Sequence, residues 1–201
     1  KIVPYRRRKA VRLNSGVRCG QMTHFQYIGK IGKDGAAQLA NAMHAAVYRG
    51  EKELYLGIMS PGGHTETGFA LHNLVQSLGV NVTTYALGHV DSAAVPMFLA
   101  GSKRLVSPLS SVMIHKPVQN LPPASEYTAT FLQFLATELS YHEKRIKEIL
   151  ADRTKLGETQ ISSFLETGKR FLPSEAVEYG LAHEIRLFAV PPGIETIVVG
   201  E

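Results

Sequence analysis

Between Phe25 and His115 the chain alternates between two hydrophobic periods, with a glycine at almost every change. Phe25 to Ile31 has a strand-like pattern that stops at Gly32. Gly35 to Tyr48 then carries Ala36, Leu39, Ala40, Met43 and Val47 at helical spacing, with Gly50 as its stop. Glu53 to Met59 reads as a buried strand broken by Ser60-Pro61-Gly62-Gly63. Leu71, Leu74, Val75 and Leu78 mark a second amphipathic helix closed by Gly79. Val80 to Leu87 is rich in β-branched residues and predicts a strand, followed by Gly88 and a third helix starting near Ser92. Arg104 to Val106 and Val112 to His115 predict two more short strands. Such β-α-β-α-β-α alternation constrains the chain to an α/β fold, with helices packed around a largely parallel sheet.

Beyond this region the pattern changes. Gln119 to Ala124 is a breaker, and Ser125 to Leu150 predicts a helix of about 26 residues, close to 39 Å long at 1.5 Å per residue. Its apolar positions include Phe131, Leu132, Leu135, Leu139, Ile146 and Leu150, and Ser125 is placed to cap it. That length exceeds what one small domain covers, so the helix is expected to project and meet another subunit. Residues 157–185 add shorter helices, and 186–201 read as a mostly apolar tail. Residues 1–22 form a basic arm, leaving 23–201 as the one folded domain.

Composition narrows the function classes. The 201 residues are 44% hydrophobic and 19% charged, which supplies a core and excludes a disordered chain. No apolar run approaches the roughly 20 residues that cross a bilayer, and the first twelve residues lack the apolar run of a secretory signal. A lone Cys19 excludes an internal disulfide and any Cys-rich metal site. The expectation is a cytoplasmic protein. Lys and Arg exceed Asp and Glu by 22 − 17 = 5. The excess lies in Arg6, Arg7, Arg8, Lys9 and Arg12, so it belongs to the arm and argues against a nucleic-acid-binding face.

Two turns carry chemistry. Ser60–Gly63 lies where a buried strand ends and a helix begins, so its glycines can present backbone N–H groups to a ligand. Gly88 to Ala94 repeats the arrangement and puts Ser92 at the first turn of a helix, where unpaired amides favour an oxyanion. Both turns lie at carboxyl ends of strands, where ligands gather in parallel α/β sheets. Two tight turns with an N-cap serine are the plainer alternative. His115 leaves an apolar strand just before Pro117, as a base for Ser92 or as a packed strand residue.

Taken together, these segments resemble the Clp protease proteolytic subunit (ClpP) family over residues 25 to 186. The motifs are Ser60–Gly63, Gly88–Ser92, Val112–Pro117, and Arg170-Phe171-Leu172 followed by Glu175 to Leu181. The resemblance implies a ClpP/crotonase-type βαβ spiral, with Ser125 to Leu150 as a projecting handle helix. It implies Ser92 as nucleophile, His115 as general base, and the Gly62 and Ala93 N–H groups as oxyanion hole, with no metal or cofactor. It further implies a peptide or unfolded-protein substrate, stacked homo-oligomeric rings, and an ATP-dependent unfoldase partner.

The chain departs from that pattern in three places. Where the family carries its third triad member, an aspartate, this chain has Leu165; Glu166 is the nearest acid, either a substitute or an exposed surface glutamate. The only aspartates are Asp34, Asp91 and Asp152. Asp91 is expected to face away from the centre and Asp152 to lie on the handle. Val118 to Pro123 lacks the glycine pair on which a substrate strand adds, and the amino-terminal segment is basic where the family's axial loop is apolar. Two rivals therefore stand beside a serine endopeptidase: a crotonase-type acyl-CoA enzyme on the same fold, and a non-catalytic scaffold subunit.

Overall fold

A computed structural model describes residues 23–123 and 126–200. The alternation forms in order as β1 (Thr23–Ile28), α1 (Lys33–Tyr48), β2 (Glu53–Ser60), α2 (Thr65–Ser77), β3 (Asn81–Asp91), α3 (Ala94–Leu99), β4 (Lys103–Val106) and β5 (Ser111–Ile114). The remainder forms α4 (Ala129–Arg153), α5 (Glu158–Thr167), β6 (Lys169–Phe171), α6 (Pro173–Glu178), β7 (Glu184–Ile185) and β8 (Glu195–Val199). All eight strands share one sheet, with the path β6-β5-β3-β2-β1-β8; β4 pairs with β3 and β7. Every ladder is parallel except the antiparallel β5–β6 pair. The fold is mixed α/β, as the alternation requires.

One face of each central strand is fully buried under the helices, while the opposite face is only partly covered, leaving Glu53, Met59 and His89 exposed. Leu54, Leu56 and Ile58 of β2 and Val82, Ala86 and Val90 of β3 have almost no exposed surface. Burying each leucine or isoleucine contributes roughly 2 kcal/mol by area transfer. Helix α1 lays Gly35, Leu39, Met43 and Ala46 along one stripe against this sheet, the i, i+4 spacing of an amphipathic helix.

Three expectations are corrected. Gly88 does not end the third strand: β3 runs through it to Asp91, with a register irregularity opposite Ile58–Ser60. The first half of β3 pairs with β4 over Thr83–Ala86 and the extension pairs with β5 over His89–Asp91. The continued ladder, which a lone glycine does not prevent, thus delivers Ser92 beside β5. The third helix accordingly starts at Ala94, two residues after Ser92. The apolar tail also contains a strand, β8, added to β1 in parallel register from Thr23↔Glu195 to Tyr27↔Val199.

Helix α4 has 25 residues, about 38 Å, and Leu150 is its one buried residue. Thr128 caps it, its side chain accepting from the Phe131 N–H at 3.2 Å. The expected cap Ser125 and the basic arm 1–22 lie outside the described residues. The carboxyl half of α4 is tied down. The Glu66 carboxylate meets Arg145 and His142, the Arg145 guanidinium lies 3.9 Å from the Phe69 ring centre, and Arg153 donates to the Leu99 and Gly101 carbonyls. The amino-terminal half projects, exposing Phe131, Leu132 and Phe134.

Candidate active site

The end of β3 and the end of β5 converge on one another. Ser92 follows the last residue of β3 with φ = 56°, the only described non-glycine residue in the left-handed region. Such a conformation costs about 1–3 kcal/mol and persists only where its surroundings determine it. Here the Ser92 N–H donates to the Met113 carbonyl of β5 at 2.9 Å, and the Ser92 carbonyl accepts from Val95 N–H at 3.0 Å. Two residues beyond Met113, His115 turns its ring to the serine: Nε2 lies 2.8 Å from Ser92 Oγ. Both residues are partly exposed, so the pair is open to a ligand.

The Ser60–Gly63 turn is pressed against this pair. Gly62 has φ = 89°, and a Cβ there would lie 2.6 Å from Ser92 Cβ and 3.1 Å from Ala93 N, so only glycine fits. On the other side, a Cβ on Gly68 of α2 would lie 2.2 Å from the Ala93 carbonyl oxygen. Among the described residues the Ala93 N–H has no hydrogen-bond partner. The Gly62 N–H donates to Ser60 Oγ at 3.1 Å and is therefore shared with that hydroxyl.

Among the described residues no carboxylate stands behind His115. Leu165 is buried in the core, 1% exposed, and touches the site only through its carbonyl, which accepts from Lys116 N–H at 2.9 Å. Glu166 points to solvent with 65% of its side chain exposed and pairs with Lys116; that hydrogen bond raises the Lys116 ammonium above its usual range. Among the described residues no partner meets His115 Nδ1. Gly168, which ends α5 in the left-handed region, brings the backbone beside the histidine: its Cβ would lie 3.9 Å from His115 Cβ. Asp152 is exposed on α4. Asp91 turns from Ser92 to a two-pronged pair with Arg170, 2.9 Å at each oxygen. Sequence reasoning missed that partner, because 79 residues separate the two and only the β3–β5–β6 register brings them together.

Beside the pair lies an apolar pocket lined by Pro96, Leu99, Ile114, Pro117, Ile146 and Ile149. Helix α4 supplies its outer wall. Among the described residues no group of three or more His, Cys, Asp or Glu side chains is placed to hold a metal ion. No described helix is long and apolar enough to cross a membrane.

Fold and site together define an α/β protein with a serine–histidine contact at the carboxyl ends of neighbouring parallel strands. The Clp protease family model matches residues 18–187, and the chain belongs to that family. Among solved structures it is similar to a ClpP1 mutant from Listeria monocytogenes, at 25% identity and a TM-score of 0.72, over 82% of this chain and 91% of that one. β8 lies beyond the matched segment.

Proposed function

We propose that this protein is a ClpP-like serine endopeptidase that cleaves peptide bonds through an acyl-enzyme on Ser92. The 2.8 Å contact between Ser92 Oγ and His115 Nε2 carries the reading. With Nε2 neutral, the hydroxyl donates to it, and His115 takes the proton as Oγ attacks the scissile carbonyl. The oxyanion that forms is met by the Ala93 N–H and by the Gly62 N–H, released from Ser60. His115 then returns the proton to the leaving amine, and water repeats the cycle on the acyl-enzyme. The apolar walls beside the pair favour an apolar over a charged substrate side chain next to the scissile bond. Membership of the Clp protease family and the serine–histidine contact favour this chemistry over an acyl-CoA enzyme.

Loss of the triad acid costs about 10⁴ in rate in a well-studied serine protease, yet the remaining groups still catalyse. Glu166 as an orienting acid would have to leave Lys116 and turn inward, so a water or a carbonyl is the better partner for Nδ1. The buried Leu165 also favours a second reading, a scaffold subunit that co-assembles with an active relative. Hydrolysis of a small fluorogenic peptide, with labelling by a serine-directed phosphonate, separates the two. The peptidase reading expects a single label and slow turnover, both lost in Ser92→Ala. His115→Ala should lose turnover nearly as fully, while Glu166→Ala stays within about threefold of the parent, the scale of an exposed ion pair. An unlabelled, inert protein would leave the scaffold reading.

A further inference from the structure

The three strands that build the site are cross-linked at one row. In register, Asp91 of β3 faces Met113 of β5, which faces Arg170 of β6. The Arg170 side chain spans β5 on its exposed side and grips both Asp91 oxygens, each at 2.9 Å, while Nη1 also donates to Ser111 Oγ at 2.8 Å. We propose that Asp91 and Arg170 are a positioning pair that holds Ser92 in its left-handed conformation, within reach of His115. This inference rests on the peptidase reading.

The physics is local. Asp91 is the residue immediately before Ser92, and the Met113 carbonyl that accepts from the Ser92 N–H belongs to the strand the arginine crosses. Met113 is in turn two residues before His115. One side chain therefore braces both backbones that present the reacting groups. A two-pronged arginine–carboxylate pair is directional as well as charged; the Asp91 side chain is only 10% exposed while the Arg170 side chain is 46% exposed, so the pair acts through its geometry more than through its charge. The demand for such a brace is greater here than in a site with a carboxylate behind the histidine. No described side chain holds His115 from the Nδ1 side, so the Ser92–His115 distance depends on the two strand ends alone. The adjacent row Val90↔Val112 has its own parallel pairing and two fully buried side chains, so loss of the ion pair acts on alignment before it acts on the fold.

The test compares Asp91→Asn, Arg170→Met, the double variant and Ser111→Ala in the full chain, with sedimentation confirming an unchanged assembly. Two rates are read: steady-state hydrolysis of a fluorogenic peptide, and acylation by a fluorophosphonate, which needs alignment but no turnover. Each single charge variant is expected to lose at least about tenfold in kcat, with KM within about twofold, because alignment acts on the transition state. Phosphonate acylation should fall in parallel. The double variant should be no worse than the poorer single one, since the two residues act as a unit. Ser111→Ala, which frees one prong of the guanidinium, should lose about two- to threefold in kcat, the scale of one hydrogen bond. Folded charge variants with kcat within twofold of the parent, or with a loss confined to KM, would overturn the proposal. Should those variants fail to fold, parental kcat in Ser111→Ala would overturn it as well. A parent that neither hydrolyses nor labels overturns the peptidase reading and this one together; an active parent with unaffected variants overturns only the positioning pair.

Discussion

At the scale of single residues, the buried His24 and the half-buried His72 place acid sensitivity in the fold outside the serine–histidine pair, and the exposed His183 adds little to it. Burial lowers the His24 and His72 imidazoles below their ordinary value of 6.5; burial, then Arg104 and Arg153, lowers His183. A lowered imidazole favours the neutral form when folded, so the unfolded chain takes up protons first as pH falls. The stability these groups provide is complete above about pH 6.5 and is lost as pH falls through the lowered folded values. His24 is the sharpest case: it stacks on Tyr55 with ring centres 4.7 Å apart, and its buried Nδ1 has no partner among the described residues. His24→Phe keeps the stack and removes the unpaired nitrogen, an orphan that costs about 1–3 kcal/mol. The variant is expected to melt no lower than the parent near pH 7.5 and to lose less on going to about pH 5.5, as thermal unfolding at the two pH values will read. The candidate catalytic residues were visible in the sequence because Ser92 and His115 sit inside short local motifs. The partners of Asp91 and Glu166 were not, because a carboxylate pairs with whatever the tertiary fold brings near.

At the scale of elements, the close approach of α2 to the Ser92–Ala93 turn carries the next prediction. Gly68 lies within the buried face of α2, and any Cβ there collides with the Ala93 carbonyl at 2.2 Å. Gly68→Ala raises helix propensity, yet the collision outweighs it: overpacking costs about 1–3 kcal/mol against less than 1 kcal/mol gained. The variant should unfold at lower denaturant. It should also lose peptidase activity beyond its stability loss, since the displaced carbonyl belongs to the residue offering the free amide. Activity equal to the parent's under conditions where both are folded would remove the second half of that claim. The elements themselves were largely legible: periodicity located the helices α1, α2 and α4 and the strands β1 to β5. It failed at Gly88 and in the tail, because a strand's end depends on whether a neighbour offers a ladder. β3 finds β5, and β8 finds the free edge of β1.

At the scale of the whole molecule, α4 is the feature the isolated chain leaves unsatisfied. Phe131, Leu132, Phe134 and Tyr141 are 39–57% exposed along its projecting part, and a contiguous apolar surface of that kind marks an association site. The stacked rings that the family resemblance implies would bury it. Phe134→Asp is therefore expected to shift the protein from a large assembly to a smaller species in sedimentation velocity, with the far-ultraviolet spectrum unchanged. A parent that sediments as a monomer at micromolar concentration would sink the assembly itself.

What the sequence by itself determined is the alternation of elements, the α/β class, the long projecting helix and the Ser60–Gly63 glycine turn. These are written in local periodicity and in backbone conformations that few residues adopt. Only the tertiary structure decided that β3 continues to Asp91, that Ser92 Oγ meets His115 Nε2 at 2.8 Å, that Leu165 is buried where an acid was sought, and that Arg170 closes on Asp91. Each of these depends on strand register and on which side chains the packed sheet brings within a few ångströms. Contacts between residues 23 to 79 positions apart leave no periodic trace along the chain.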